Sequence, residues 1–150
     1  MGDLLHYEDF AVGARYELGS YTLTRDDVIA YAAAFDPQPF HLDEAAAKDS
    51  LLGGLAASGW QNCAILMRII ADGYLKHAAG MGSNGMSDVK WLRPVYAGET
   101  LGGHMTVLDK RVSRSRPEMG ILTCKWVMAN AAGEVKVEQT GVNFIRVRTP

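Results

Sequence analysis

The run F-D-P-Q-P-F-H-L-D at residues 35–43 sets a carboxylate, Asp36, five positions before an imidazole, His41. A carboxylate and an imidazole that share one water can exchange the duties of base and acid. Adding water to a conjugated thioester needs both: a base to activate the water, and an acid to protonate the neighbouring carbon. A free carboxylate titrates too low to be a strong base near neutrality, so burial has to raise its pKa. Phe35, Phe40 and the two prolines are the expected apolar wall around it. Further along, Ser58-Gly59-Trp60-Gln61 opens a helix. A backbone N–H in a first helical turn has no intrahelical partner. A glycine there admits a ligand oxygen, and the helix dipole adds positive character. Charge growing on a thioester oxygen would be held at Gly59.

Each of these features also has a plainer meaning. Asp before Pro is a common turn starter, and His41 could be a satisfied surface residue. Ser58 and Gln61 match the Ser-x-x-Gln capping box, and from spacing alone capping is the favoured reading. Proline stiffening, closeness in sequence and the nearby helix start raise the joint reading above the separate ones.

The flanking pattern supplies the elements that must hold these groups. Residues 14–23 read as a strand interrupted by Gly19. Thr24 caps a helix whose first turn carries Asp26 and Asp27, and which ends at Asp36 because Pro37 disfavours a helical residue before it. Pro37 and Pro39 make 36–41 a stiff loop. Asp43 caps a short helix over 44–48. The helix from Ser58 runs to about residue 78 and is apolar nearly all round, which predicts burial on most sides. Gly80 to Gly85 is a turn, and strands follow over 86–93, 99–110, 119–129 and 134–147. A run of strands after helices favours an α+β fold, an antiparallel sheet wrapped around one long central helix.

Composition narrows the function classes. The 150 residues suit one domain, 1–150, and 48% hydrophobic against 21% charged residues excludes whole-chain disorder. A net charge of −2 gives no electrostatic case for nucleic acid or an anionic membrane. Cys63 and Cys124 sit in apolar patterns and read as buried thiols, which fits a cytoplasmic protein. Gly2 would suit myristoylation, but that pattern asks for Ser or Thr where His6 stands. The N-terminus lacks the apolar core of a secretory signal, and the apolar segment 63–71 is too short to span a membrane. His6, His77 and His104 are dispersed, so no metal is expected. Lys110, Arg111, Arg114 and Arg116 form a basic run that is either a solvated hairpin or a phosphate contact, to which Lys90 and Arg93 could add.

Residues 36–43, D-P-Q-P-F-H-L-D, resemble the D-x-N-P-x-H-x-D motif of MaoC-like dehydratases and (R)-specific enoyl-CoA hydratases. Leu55-Ala-Ala-Ser-Gly-Trp60 stands where that family has its apolar-His-Gly-Met helix start, and residues 91–99, W-L-R-P-V-Y-A-G-E, are similar to its F-x-x-P-V-x-x-G-D segment. The resemblance implies a hotdog fold, a homodimer or higher homo-oligomer, a site at the dimer interface and an acyl-CoA thioester as substrate, with no further cofactor. It implies that Asp36 and His41 form the catalytic pair and that the Gly59 amide is the oxyanion donor. Gln38, Phe40, Ser58 and Trp60 then border the substrate, and Lys90 and Arg93 could meet the CoA phosphates. Gln38 replaces the usual Asn, Ser58 a frequent His, and Met67 a serine of some members. These departures bear on the acyl group more than on the reaction. Hotdog thioesterases usually carry their carboxylate on the central helix, which here offers only Asp72, far from its start. Thioester hydrolysis, and acyl-CoA binding without turnover, are the alternatives.

Overall fold

Apolar residues that largely alternate with polar ones over 101–107 and 122–128 help fold the C-terminal half into a sheet. The computed structural model describes residues 2–149. Strands β1 (Arg15–Thr22), β2 (Gly80–Gly82), β3 (Met86–Trp91), β4 (Thr100–Val112), β5 (Met119–Asn130) and β6 (Val135–Arg146) form one sheet. All pairs are antiparallel, in the order β1-β4-β5-β6-β2, with β3 also on β6. Leu101, Met105 and Val107 of β4 and Leu122, Cys124, Trp126 and Met128 of β5 are fully buried. The residues between them in β4, Gly103 excepted, are exposed or half-buried, as expected for a sheet with one face covered. Two details differ from the sequence reading. The expected turn at 80–85 contains the short strand β2. The bulge in β1 falls between Glu17 and Gly19.

Helix α1 (Arg25–Phe35) starts where Thr24 Oγ1 accepts from the Asp27 N–H and the Asp27 carboxylate accepts from the Thr24 N–H. It stops before Asp36-Pro37, as proline sterics require. A single turn, α2 (Pro39–Leu42), and a second short helix, α3 (Glu44–Lys48), follow. Asp43 caps α3 by accepting from the Ala46 N–H.

The central helix α4 (Gly59–Gly73) packs on β1 and β4. It comes close because Gly103 of β4 has no side chain: a Cβ there would stand 2.7 Å from Ile69 Cγ2. Two expectations need correcting. The helix ends at Gly73 rather than near 78, because Tyr74 leaves helical geometry (φ −153°) and a 3-10 turn, Leu75–His77, takes over. Nor is it enclosed on most sides by this chain. Asn62, Ile65, Leu66, Ile69 and Ile70 are buried, but Trp60 is 62% and Met67 45% exposed. Arg68 and Asp72 pair on the open side. Among the described residues no helix is long and apolar enough to cross a membrane.

Candidate active site

Pro37 keeps Asp36 out of the helix as read from the sequence, but Pro39 does not extend a stiff loop. Pro39 takes the first position of α2, where its missing N–H costs nothing. His41 is therefore carried on a helical turn and is buried, not a surface residue. Its Nδ1 lies 2.7 Å from the Ala56 carbonyl oxygen. A carbonyl only accepts, so Nδ1 carries the proton and Nε2 is turned toward Asp36, 3.5 Å from Oδ2. With His41 neutral, two acceptors face the same small volume. A water there could donate one O–H to each.

Asp36 is not shifted in the expected direction. The Ser58 hydroxyl and then the Gln38 amide hold its carboxyl below the usual range, outweighing burial. Gln38 Nε2 donates to Asp36 Oδ1 at 2.7 Å. The Ser58 hydroxyl is buried beside the carboxylate but meets no partner at full hydrogen-bonding geometry, so the Gln38 bond is the better defined of the two. The apolar wall is also thinner than expected, because Phe35 is 75% exposed and packs on Tyr31 instead. Phe40 does stay close, its ring edge-on to that of His41.

The start of α4 is not a capping box. Ser58 Oγ accepts no backbone N–H, and Gln61 Nε2 donates to the Asp27 carbonyl at 3.0 Å, tying α4 to α1. The first intrahelical bond runs from the Asn62 N–H to the Ser58 carbonyl. The N–H groups of Gly59, Trp60 and Gln61 precede it and remain for a ligand or solvent. Gly59 has a second reason to be glycine that the sequence did not reveal: a Cβ there would stand 2.6 Å from the Trp91 indole. Trp91 also donates from Nε1 to Cys63 Sγ at 3.4 Å and meets Trp60 edge-on. Cys63 is accordingly half-buried, while Cys124 is fully buried.

A cavity of about 300 Å³ opens beside this helix start. Phe40, His41, Leu52, Ala57, Gly59, Asn62 and Trp91 to Pro94 line it. Its outer wall is clamped by residues 94–99. Ala57 N–H donates to the Val95 carbonyl, Ala97 N–H to that of Leu55, and Tyr96 Oη to that of Leu52. Glu99 locks the turn, accepting from the Tyr96 N–H and Asn130 Nδ2 and lying 3.2 Å from the buried Lys136 ammonium. Burial alone would raise the Glu99 pKa, but these three contacts lower it.

The remaining candidates separate cleanly. Arg93 lines the cavity, though its guanidinium already donates to the Val135 carbonyl. Lys90 does not line it and lies 3.5 Å from Asp88. Lys110 is structural: it donates to the Tyr7 and Phe10 carbonyls and sits over the Tyr7 ring. Arg111 and Arg114 line a larger cleft, about 530 Å³, at the β4–β5 hairpin. Size does not locate the chemistry here, since none of the residues read as catalytic or substrate-bordering lines that cleft. Asp72 is held by Arg68 and Lys76 at the far end of α4. Among the described residues no three His, Cys, Asp or Glu side chains form a metal cluster.

An antiparallel sheet packed around one central helix is the hotdog class of fold. The chain matches the family model described as MaoC like domain over residues 9–143, and it belongs to that family. It is 33% identical to the uncharacterized protein YdeM of Bacillus subtilis (strain 168) over 117 residues, 77% of this chain and 81% of that one. The crystal structure of a MaoC-like dehydratase from Rhodospirillum rubrum superposes with a TM-score of 0.89 at 40% identity, covering 97% of this chain and 99% of that one. The (R)-hydratase from A. caviae involved in PHA biosynthesis shares the fold, with a TM-score of 0.72 at 20% identity over 91% of this chain and 97% of that one.

Proposed function

We propose that this chain is a cytoplasmic hydratase/dehydratase that interconverts trans-2-enoyl-CoA and (R)-3-hydroxyacyl-CoA. Asp36 and His41 share one water. One of them takes its proton as the oxygen bonds to C3, and a proton is delivered to C2. The negative charge that passes through the thioester oxygen rests on the Gly59 N–H, with Phe40, Ser58, Trp60 and Gln38 around it. A donor in such a position is worth about two to three orders of magnitude in rate. The observation that carries this reading is the hold of the Ala56 carbonyl on His41 Nδ1, which turns Nε2 onto Asp36 beside the unbonded N–H groups of α4. Membership of the MaoC-like family supports it. The reaction moves no electrons to or from an acceptor, so it calls for no cofactor beyond the CoA of its substrate.

The working unit is a single domain, 1–150, assembled as a homodimer or higher homo-oligomer. The open side of α4 and the exposed Trp60, Trp91 and Leu92 are the surface a second copy would cover. Sedimentation at micromolar concentration should give at least twice the chain mass. The test of the activity is loss of the conjugated absorbance of crotonyl-CoA or a longer or branched enoyl-CoA. Asp36→Asn and His41→Gln should each lower that rate by about two to four orders of magnitude while leaving the circular dichroism unchanged. Activity surviving in both variants would sink the assignment. Free CoA released from a saturated acyl-CoA would mark a hydrolase instead.

A further inference from the structure

The cavity beside His41 contains one polar side chain that neither the fold nor the proposed chemistry uses. Asn62 is 3% exposed, lines the cavity, and its Oδ1 is buried without a partner. Among the described residues its side-chain amide makes no hydrogen bond. Leaving such a group unpaired costs stability, and leucine, of similar shape, would avoid that cost. Its neighbours are accounted for differently. Gln61 spends its amide N–H on the Asp27 carbonyl, and its free oxygen belongs to the other side of α4, in a cleft with Tyr21, Tyr31 and Arg68. Arg93 is held by the Val135 carbonyl. Beside His41 and Arg93, the rest of the cavity wall is mostly apolar: Phe40, Leu52, Ala57, Trp91, Leu92 and Pro94. One unpaired amide in an apolar wall is the usual form of a specificity contact.

We infer that Asn62 reads the acyl group: its amide pairs with a hydroxyl carried near the fourth or fifth carbon of the substrate's acyl chain. This rests on the hydratase reading above. Asn62 follows Gly59 by three residues, so the two share a helix face and lie about 4.5 Å apart along the axis. Both line the one cavity, so with the thioester oxygen on the Gly59 N–H the inference lays the acyl chain along this face, where the carbons past the double bond meet the amide. A hydroxyl both donates and accepts, so it satisfies the amide in either orientation. A plain alkyl chain leaves it unpaired, and a site built around a buried hydrogen bond rejects the analogue that lacks it.

The test compares kcat/KM for crotonyl-CoA and pent-2-enoyl-CoA with that for 4-hydroxycrotonyl-CoA and 5-hydroxypent-2-enoyl-CoA. The wild type should favour a hydroxylated substrate over its plain counterpart by tenfold or more. In Asn62→Leu that ratio should fall to about one and the Tm should rise. Asn62→Ala, read by the same ratio, serves if leucine overpacks the cavity. A wild type without preference, or a ratio that Asn62→Leu and Asn62→Ala leave unchanged, overturns the inference. If the wild type turns over none of the four, the hydratase reading has failed separately. Calorimetry with the saturated 4-hydroxybutyryl-CoA and butyryl-CoA then decides: tighter binding of the hydroxylated ligand, lost in Asn62→Leu, supports the inference, and equal affinities overturn it.

Discussion

At the scale of single residues, the site turns on what Asp36 touches. The Ser58 hydroxyl and the Gln38 amide lower its pKa, so Asp36 is ionised at neutral pH. In the proposed reaction an ionised Asp36 is a weak acceptor, and the His41 imidazole shares the acid–base duties with it. Gln38→Ala removes the 2.7 Å bond and should move the Asp36 pKa up toward the ordinary carboxylate range. The acid limb of the kcat/KM profile for crotonyl-CoA should then move to higher pH. The sign for stability follows from linkage. A depressed carboxylate stabilises the fold above its unfolded pKa, and that contribution is lost as pH falls through the folded value. The Tm deficit of Gln38→Ala should therefore be present at pH 7 and close in acid below the Asp36 pKa. A deficit constant with pH would show that Gln38 acts only through packing. The pair itself was legible in the D-P-Q-P-F-H spacing. The direction of the pKa shift was not, because it depends on where the Gln38 and Ser58 side chains end up and on Phe35 turning outward.

At the scale of elements, the site depends on how the start of α4 is held, and that rests on the segment between β3 and β4. Residues 94–99 bond to the chain at Leu23, Leu52, Leu55 and Ala57, and Glu99 with Lys136 fixes their turn. Lys136 is buried, and among the described residues its ammonium has, beyond Glu99, only the Pro94 carbonyl within hydrogen-bonding distance. Glu99→Ala strands that charge, a change that costs about 3–5 kcal/mol when one partner of a buried pair is removed. Urea unfolding should show the loss. Lys136→Met in the Glu99→Ala background should recover part of it, because it removes the stranded charge. A double variant no more stable than Glu99→Ala would contradict this. The sequence made the existence of α1, α3, α4 and the long strands readable, since period and caps are local. The failures were tertiary. Tyr74 ends α4 earlier than its apolar pattern implied, and Gln61 serves α1 rather than its own helix. Gly59 is matched to Trp91, which lies 32 residues away in the chain, and no local pattern reports such a contact. Asn62 stands directly after Gln61 in the chain, and nothing local sets one amide apart from the other.

At the scale of the whole molecule, the sheet separates two sets of basic residues that the sequence offered together for a phosphate-bearing tail. Trp91, which packs on Gly59, lies opposite Val137 of β6, whereas Gly120, at the base of the arginine hairpin, lies opposite Ile145. Eight residues of strand span about 26 Å, so within one chain Arg111, Arg114 and Arg116 sit well away from the helix start. Arg93 lies at the cavity, and of all the basic residues it is the one placed to feel a CoA thioester bound there. Arg93→Ala should raise KM for crotonyl-CoA several-fold, and should leave KM for the corresponding pantetheine thioester, which has no nucleotide, within about twofold. An exposed charge contact is worth about 1 kcal/mol or less, so a larger rise would mean that Arg93 shapes the cavity as well. Arg114→Ala with Arg116→Ala should leave both KM values and their salt dependence unchanged, because screening over about 10 Å at ordinary ionic strength removes any field from the hairpin at the cavity. If the double variant raises KM for the CoA thioester alone, the hairpin must reach the site of a neighbouring copy, and the assembly rather than the chain then sets where the nucleotide lies.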